Sequence, residues 1–365
     1  MSLKCAIIGL TNTGKTTLFN CMSETKAEIS DFAFSTNKSN IGVIQVPDPR
    51  LYELNKYQET QRIVPATVEI IDVPGLTKGS NHGEGVGNKF LADIRNADAL
   101  IHVLRCFDDD NLPHIDGTVD PVRDLETVNL ELQIKDLESV EKKIEKTEKL
   151  IKAGEKNAKV LYEVLLELKK HLENFQNARS LNLTEEQTKL VADLQLLTAK
   201  PVIYVCNVDE ASVISGNAYT KAVKEAVSIE NTQVLIIAAA AEAEISELET
   251  EEEREEFLKD LGINEPGVHR LIRAAYALLN LKSFFTIGPK EIRAWTIKDG
   301  MTAQQAAGVI HSDLERGFIR AEVIKYDDFI ELGSEDACRK KGKLRLEGKN
   351  YIVQDGDLMH IRFNV

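Results

Sequence analysis

Gly9, Gly14, Lys15 and Thr16 stand in the spacing G-x-x-x-x-G-K-[ST], within the segment GLTNTGKT. Glycines at those places free backbone N–H groups to wrap a β-phosphate, and a helix N-terminus adds positive potential. Lys15 would reach the β- and γ-phosphate oxygens, and the Thr16 hydroxyl would ligate Mg²⁺. Asn12, Thr13 and Thr17 complete the stretch assigned to the nucleotide. The motif follows the apolar strand Cys5–Ile8 and opens a helix at Thr16–Cys21, the context that such a loop requires. A second element, IIDVPG, ends an apolar run at Asp72, with Gly75 three residues later. A carboxylate at that strand tip supports Mg²⁺ through its water shell, and the Gly75 N–H can sense the γ-phosphate.

Between these motifs, FAFSTNKSNIG supplies Thr36 as a switch residue closing over Mg²⁺ and the γ-phosphate, with Ser35 as a fallback. Gly79, Gly83, Gly85 and Gly87 follow Gly75, which predicts a segment that reorganises between nucleotide states. Leu76 occupies the place of a water-orienting Gln in Ras-like GTPases, and its side chain neither accepts nor donates a hydrogen bond. Either hydrolysis is slow or another group enters the site. His114, in the loop DDDNLPHIDG, is the candidate, set against the alternative of an inert surface histidine. Base choice is read at NVDE, residues 207–210. A guanine reader there has N-K-x-D, whose Asp accepts both guanine N–H groups. Here Val208 replaces the Lys and Glu210 stands in place of the Asp, while Asn207 still suits N7 of either purine. Loss of GTP specificity follows more directly than strict ATP preference.

These residues need a scaffold. Apolar runs at 3–8, 41–46, 67–73, 99–105, 201–206 and 233–237 predict buried strands, most separated by helix-length segments. That alternation is the signature of a doubly wound α/β sheet. From about 127 to 198 no strand pattern occurs. Leu161, Leu165, Leu168, Leu172 and Phe175 recur at spacings of four and three, and Leu130, Leu137, Ile144 and Ile151 recur every seven, with Ile134 between. With Gly154 between the runs, an inserted antiparallel helical hairpin is expected, a short coiled coil whose far end is a candidate partner surface. Helices are expected near 249–260 and 266–280. From about 283, EIRAWTI, FIRAEVI, KNYIV and LMHIRFNV predict a compact α+β domain around one helix at about 302–312.

The chain has 365 residues and a net charge of −14, which argues against coating nucleic acid along its whole surface. The excess is uneven: from Ser283 onward, 13 Lys/Arg balance 13 Asp/Glu. Arg339, Lys340, Lys341, Lys343, Arg345 and Lys349 cluster there as either a solvated loop face or an RNA contact. Five scattered cysteines without a C-x-x-C pair predict core thiols in a reducing, cytoplasmic compartment. No apolar run approaches the roughly 20 residues of a membrane span, and MSLKCAIIGL reads as a buried strand rather than a signal peptide.

Together GLTNTGKTTLFN, VPDPRL, KGSNHGEGVGNKFL, RCFDDDN, NVDE, EPGVHRLIRAAY and KNYIVQDGDLMHIRFNV resemble the YchF family, the Obg-like ATPases, over essentially the whole chain. The resemblance implies a nucleotide-binding domain at 1–126 and 199–282, a coiled-coil insertion at 127–198, and a TGS domain of ubiquitin-like β-grasp fold at 283–365. It implies ATP hydrolysis in preference to GTP, Mg²⁺ dependence and ribosome association. The partner contact expected is with rRNA through the TGS domain or the coiled coil, and the default expectation is a monomer that does not enter membranes. It makes Lys15, His114 and Gly75 the catalytic set, and Thr16, Thr36 and Asp72 the metal set. Asn207 and the Val208 main chain would hold adenine, and Asn12 raises K⁺ as a second cation. Thr11, Thr13 and Thr16 stand where the family pattern has Pro, Val and Ser. Ala33 and Ser35 replace Pro and Cys, and Pro74 replaces Ala, so the switch departs further from the pattern than the phosphate loop. The alternatives are a GTPase with a degenerate base loop and a nucleotide-binding scaffold that does not hydrolyse.

Overall fold

The computed structural model describes residues 3–23, 39–58, 60–75, 86–230 and 232–364. The chain falls into two compact units, residues 1–42 with 69–271, and residues 43–68 with 272–365.

The first unit carries β1 (Lys4–Ile8), α1 (Lys15–Met22), β4 (Thr67–Asp72), α3 (Val86–Asn96), β5 (Ala99–Arg105), β6 (Val202–Asn207) and β7 (Val234–Ile237). With β2 (Asn40–Gln45) these strands form a sheet of order β2-β4-β1-β5-β6-β7, parallel at each of the pairs β4–β1, β1–β5, β5–β6 and β6–β7. All six strands lie within two residues of the apolar runs that announced them. β5 and β6 are buried along their whole length, as parallel strands covered on both faces must be. Helices α7 (Ala218–Ala226), α8 (Ala239–Glu247), α9 (Glu251–Asp260) and α10 (Gly267–Leu278) follow β6 and β7. Glu242 of α8, buried, accepts the Gly267 N–H and so caps the start of α10.

Between β5 and β6 lie α4 (Pro121–Lys152), α5 (Ala158–Glu173) and α6 (Glu185–Val191). Asp120 caps α4 through the N–H groups of Val122 and Arg123, with Pro121 at its first position. Gly154, at φ +82°, lets the chain reverse. Cross-contacts then run antiparallel: Glu141 meets Lys169 and Glu148 meets Tyr162. The seam is not quite the expected one. Leu137, Val140, Ile144, Leu161, Leu165, Leu168 and Leu172 pack together, each fully buried leucine worth about 2 kcal/mol. Leu130 and Ile134 are 40% and 39% exposed, and Phe175 is 74% exposed just beyond the end of α5. The buried line of α4 instead runs through Val128, Leu132 and Asp136, because this end of the helix packs on the sheet and on residues 197–198. Asp136 is buried there with three donors, the N–H groups of Leu197 and Thr198 and the Thr198 hydroxyl.

The second unit contains α2 (Pro49–Tyr57), β3 (Arg62–Val64), β8 (Leu281–Ile287), β9 (Glu291–Lys298), α11 (Ala303–Ile310), α12 (Ser312–Arg316), β10 (Phe318–Ile324), α13 (Tyr326–Leu332), α14 (Glu335–Lys340), β11 (Arg345–Glu347) and β12 (Leu358–Phe363). Its mixed sheet has the order β11-β10-β12-β8-β9-β3. Ala303, Ala306 and Ala307 of α11 are fully buried, and the first two pack with Phe284, Ile297, Ala321 and Val323. KNYIV does not form the expected strand and contributes a single bridge, Thr302 to Ile352. The unit also recruits residues 43–68, which the sequence placed in the nucleotide domain. β3 pairs in parallel with β9, and α2 is fastened by Arg50, which binds Asp355 at 2.8 Å and stacks 5.0 Å over Phe285. A three-residue strand is too short for periodicity to reveal.

Candidate nucleotide-binding site

The loop between β1 and α1 is shaped by three positive-φ residues. Gly9 has φ +147°, and a Cβ there would lie 2.4 Å from the Val103 carbonyl oxygen. Gly14 has φ +91°, and a Cβ there would lie 2.4 Å from Asn207 Nδ2. Neither place admits a side chain. Asn12 adopts φ +60°, one of the few left-handed non-glycine positions among the described residues, and its amide donates to the Pro113 carbonyl at 3.2 Å. Because Gly14 is the N-cap, no side chain caps the first N–H groups of α1, and its first turn carries no acid. The helix end is therefore left polarised toward an anion.

Lys15 is buried, and its ammonium donates to the Leu10 carbonyl of its own loop. The Thr13 hydroxyl donates to the same carbonyl at 3.1 Å. Burial pushes the Lys15 pKa down to about 8, with the charge of Asp72 opposing the shift. Asp72, at the tip of β4, accepts the Thr16 hydroxyl on Oδ2 at 2.9 Å, while its Oδ1 is buried without a hydrogen-bond partner among the described residues. Burial raises the Asp72 pKa, against the pull of Lys15. One hydroxyl and an orphaned carboxylate oxygen, both hard donors, suit a small divalent cation. Gly75 lies close against the phosphate loop: a Cβ there would be 2.9 Å from Thr11 Cα. Thr17 follows in the first turn of α1.

The expected base loop begins with a clamp. Asn207 is buried, its Nδ2 donates to the Thr13 carbonyl at 3.0 Å, and its Oδ1 accepts the Ala239 N–H at 2.9 Å. It thus ties the phosphate loop to the segment after β7, besides any contact with a base. The Val208 N–H is spent on the Ile237 carbonyl, so the backbone donor at that place is not offered to a ligand. Val208 is buried and Glu210 exposed, so no lysine stem covers a purine and the carboxylate stands in solvent.

His114 is not an open surface histidine. Its side chain is 4% exposed; Nε2 lies 2.9 Å from Asp124 Oδ2, and Nδ1 accepts the Asp116 N–H at 3.1 Å. Acceptance at Nδ1 fixes the proton on Nε2, which donates to Asp124. Asp124, 1% exposed in the first turn of α4, was not anticipated from sequence. The carboxylates of Asp116 and Asp124 gather beside His114 as a cation site would, but Arg123 supplies the positive charge, 3.0 Å from Asp124 and 3.5 Å from Asp116. Arg105 is the other residue that sequence reasoning passed over. Fully buried at the end of β5, it donates to the carbonyls of Phe107, Asp109 and Leu112 and so shapes the loop that delivers Pro113 and His114. An arginine ending an apolar strand before an acidic loop was the available signal. Thr36, Ser35, Leu76, Gly79, Gly83 and Gly85 lie outside the described residues.

Sequence and structure comparisons identify the family. Residues 4–166 match a family described as a 50S ribosome-binding GTPase, and residues 281–364 match the YchF GTPase C-terminal family, described as of unknown function. The chain is 48% identical to a Bacillus subtilis protein named "Ribosome-binding ATPase YchF" and 46% identical to an Escherichia coli protein of the same name, each alignment covering 100% of both chains. It is also similar to the solved YchF GTPase of Schizosaccharomyces pombe, at a TM-score of 0.86 and 34% identity, over 99% of this chain and 98% of that one.

Proposed function

The chain belongs to the YchF family, and on that footing we propose that it is a ribosome-associated ATPase that binds ATP in preference to GTP and hydrolyses it slowly. The observation that carries this reading is the base loop. The strand, clamp and phosphate loop of a GTP switch are all present, while Val208 is buried where a lysine stem would cover the base and Glu210 is exposed.

When ATP binds, the phosphates occupy the N-terminus of α1, and Lys15 leaves the Leu10 carbonyl for the β- and γ-oxygens. Thr16 and Asp72, with Thr36 from the switch segment, would hold Mg²⁺, whose charge neutralises the phosphate oxygens. The backbone N–H of Gly75 is assigned to the γ-phosphate. Water attacks in line, oriented by His114, whose Nδ1 lone pair becomes available once the Asp116 N–H releases it. Asp124 keeps the proton on Nε2, the tautomer this role needs. K⁺ is assigned to Asn12 as a second cation of the same loop. Residues 127–198 are proposed as a coiled-coil insertion and 283–365 as a TGS domain, with the protein monomeric and cytoplasmic beside its ribosomal partner. Among the described residues no helix is long and apolar enough to cross a membrane.

Competition of unlabelled ATP and GTP against a fluorescent analogue, in Mg²⁺ and K⁺, tests the base assignment. ATP is expected to bind at least about tenfold more tightly, a difference of about 1.4 kcal/mol. A GTP preference would return Glu210 to the role of guanine reader and move the protein to the GTPase reading, in line with the fission-yeast relative, which is described as a GTPase.

The low pKa of Lys15 gives a second test. Only the ammonium form pairs with phosphate, and that form is lost from the free protein as pH rises through about 8. Bound phosphate raises the pKa, so binding takes up a proton above pH 8. ATP affinity is expected to fall by up to about tenfold per pH unit between roughly pH 8 and 9.5. The Lys15→Arg variant, always protonated, would bind with little pH dependence over that range if it binds at all. A flat profile in the unsubstituted protein would remove Lys15 from the phosphate contact.

A further inference from the structure

The tip of the α4–α5 hairpin carries a net charge opposite in sign to that of the molecule. Between Lys142 and Lys159 stand seven lysines and three glutamates, in a chain of net charge −14. The root of the same hairpin, residues 121–141, holds six acids against Arg123 and Lys135. Six of the seven tip lysines, Lys142, Lys146, Lys149, Lys152, Lys156 and Lys159, are exposed and make no ion pair or side-chain hydrogen bond among the described residues. The seventh, Lys143, pairs with Asp193. Of the three lysines nearer the root, Lys135 is held by Glu138 and Lys169 by Glu141 and Glu173, while Lys170 is exposed without an ion pair among the described residues.

The C-terminal basic cluster is the competing surface, and half of it is spent. Arg339 lies against Glu322, Lys343 pairs with Asp328 at 2.8 Å, and Arg345 pairs with Glu347 at 3.3 Å. Lys340, Lys341 and Lys349 alone in that cluster make no such contact among the described residues.

An acidic protein that approaches a polyanion is repelled everywhere except where positive charge is concentrated, so its field orients it tip-first. Lys142, Lys146 and Lys149 fall at i, i+4 and i+7 on one helical stripe, and Lys152 extends it to a span of about 15 Å. Ammonium groups free of carboxylate partners are the ones that release counterions from a phosphate backbone without first breaking an ion pair. We infer that the tip of the α4–α5 hairpin, residues 142–159, is an RNA-binding surface that grips the phosphate backbone of ribosomal RNA. The inference rests on the ribosome as partner. Leu150 and Val160 are the exposed large apolar side chains of this tip, and two side chains add little apolar area, which favours RNA over a protein partner.

The test uses the full chain with Lys146, Lys149, Lys152 and Lys156 all changed to Gln, which preserves helix propensity. A control carries Lys340, Lys341 and Lys349 changed to Gln. Binding to purified ribosomes and to protein-free ribosomal RNA is titrated over about 50–200 mM salt, with circular dichroism and ribosome-free ATP turnover as checks on folding. The tip variant is expected to bind both probes at least about tenfold more weakly. Its slope of log affinity against log salt should be shallower by about 3, while the control changes little. Ribosome binding equal to that of the unsubstituted protein would overturn the tip and leave the ribosome reading intact. Loss of ribosome binding by the tip variant, with no binding of the unsubstituted protein to free RNA, would assign the tip to a ribosomal protein and overturn the RNA assignment. No ribosome binding by the unsubstituted protein would overturn the partner reading, and the tip assignment with it.

Discussion

Replacing Lys15 by Ala is expected to lower ATP turnover by about 100- to 1000-fold and to weaken ATP binding, with no loss of thermal stability in the nucleotide-free protein. The first part follows from charge. In the proposed mechanism Lys15 meets the β- and γ-oxygens as negative charge shifts toward the leaving group, and removing one such preorganised contact costs about 3–4 kcal/mol. The second part follows from burial. In the free protein Lys15 is desolvated, its pKa is pushed down to about 8, and its hydrogen-bond partner is a loop carbonyl that the Thr13 hydroxyl also serves. Alanine removes a buried charge that the free protein holds at a cost. Steady-state hydrolysis, equilibrium binding and a melting curve on the same sample separate the two effects. Turnover equal to that of the unsubstituted protein would remove the loop from catalysis.

His114→Ala is expected to slow hydrolysis by about 100-fold while ATP affinity stays within about twofold, the pattern of a group that acts on water rather than on the nucleotide. The structure supplies a confounding effect that sequence could not foresee. Asp124, 1% exposed, would lose its histidine partner and keep only Arg123, at a cost in stability of about 1–3 kcal/mol. His114→Asn addresses this, because its side-chain oxygen can still accept the Asp116 N–H while no proton can be taken from water. Both variants should be slow, and Asn should melt closer to the unsubstituted protein. Full activity in the Asn variant would leave His114 as a structural partner of Asp124 and nothing more.

The site was legible where its chemistry is local. A phosphate cradle needs glycines and a lysine at fixed spacing within eight residues, and such spacing survives as a string: Gly9 and Gly14 take positive φ in one loop, Lys15 and Thr16 open the helix behind it, and Asp72 at its strand tip meets Thr16. The strands of the parallel sheet were legible for a related reason. Burial on both faces demands unbroken apolar runs, and few other structures do. The hairpin was legible as two helices around Gly154, but its register was not. Heptad spacing identified Leu137 and Ile144, while Leu130 and Ile134 are left part-exposed where α4 turns its inner face to the sheet instead of to α5.

What the tertiary structure decided are the long-range pairings. Asn207 reaches across 194 residues to the Thr13 carbonyl, Arg105 gathers three loop carbonyls, and Asp124 fixes the tautomer of His114. β3 leaves its sequence neighbours to pair with β9, more than 200 residues later. Each of these satisfies a polar group that burial would otherwise leave unpaired, and the partner is chosen by proximity in the folded chain, which carries no spacing rule. The sequence by itself determined that this protein binds the phosphates of a nucleotide, because that chemistry is built from one short loop. Which of its groups remain free to act on water, base or RNA was decided only by folding, since folding determines which partners are already taken.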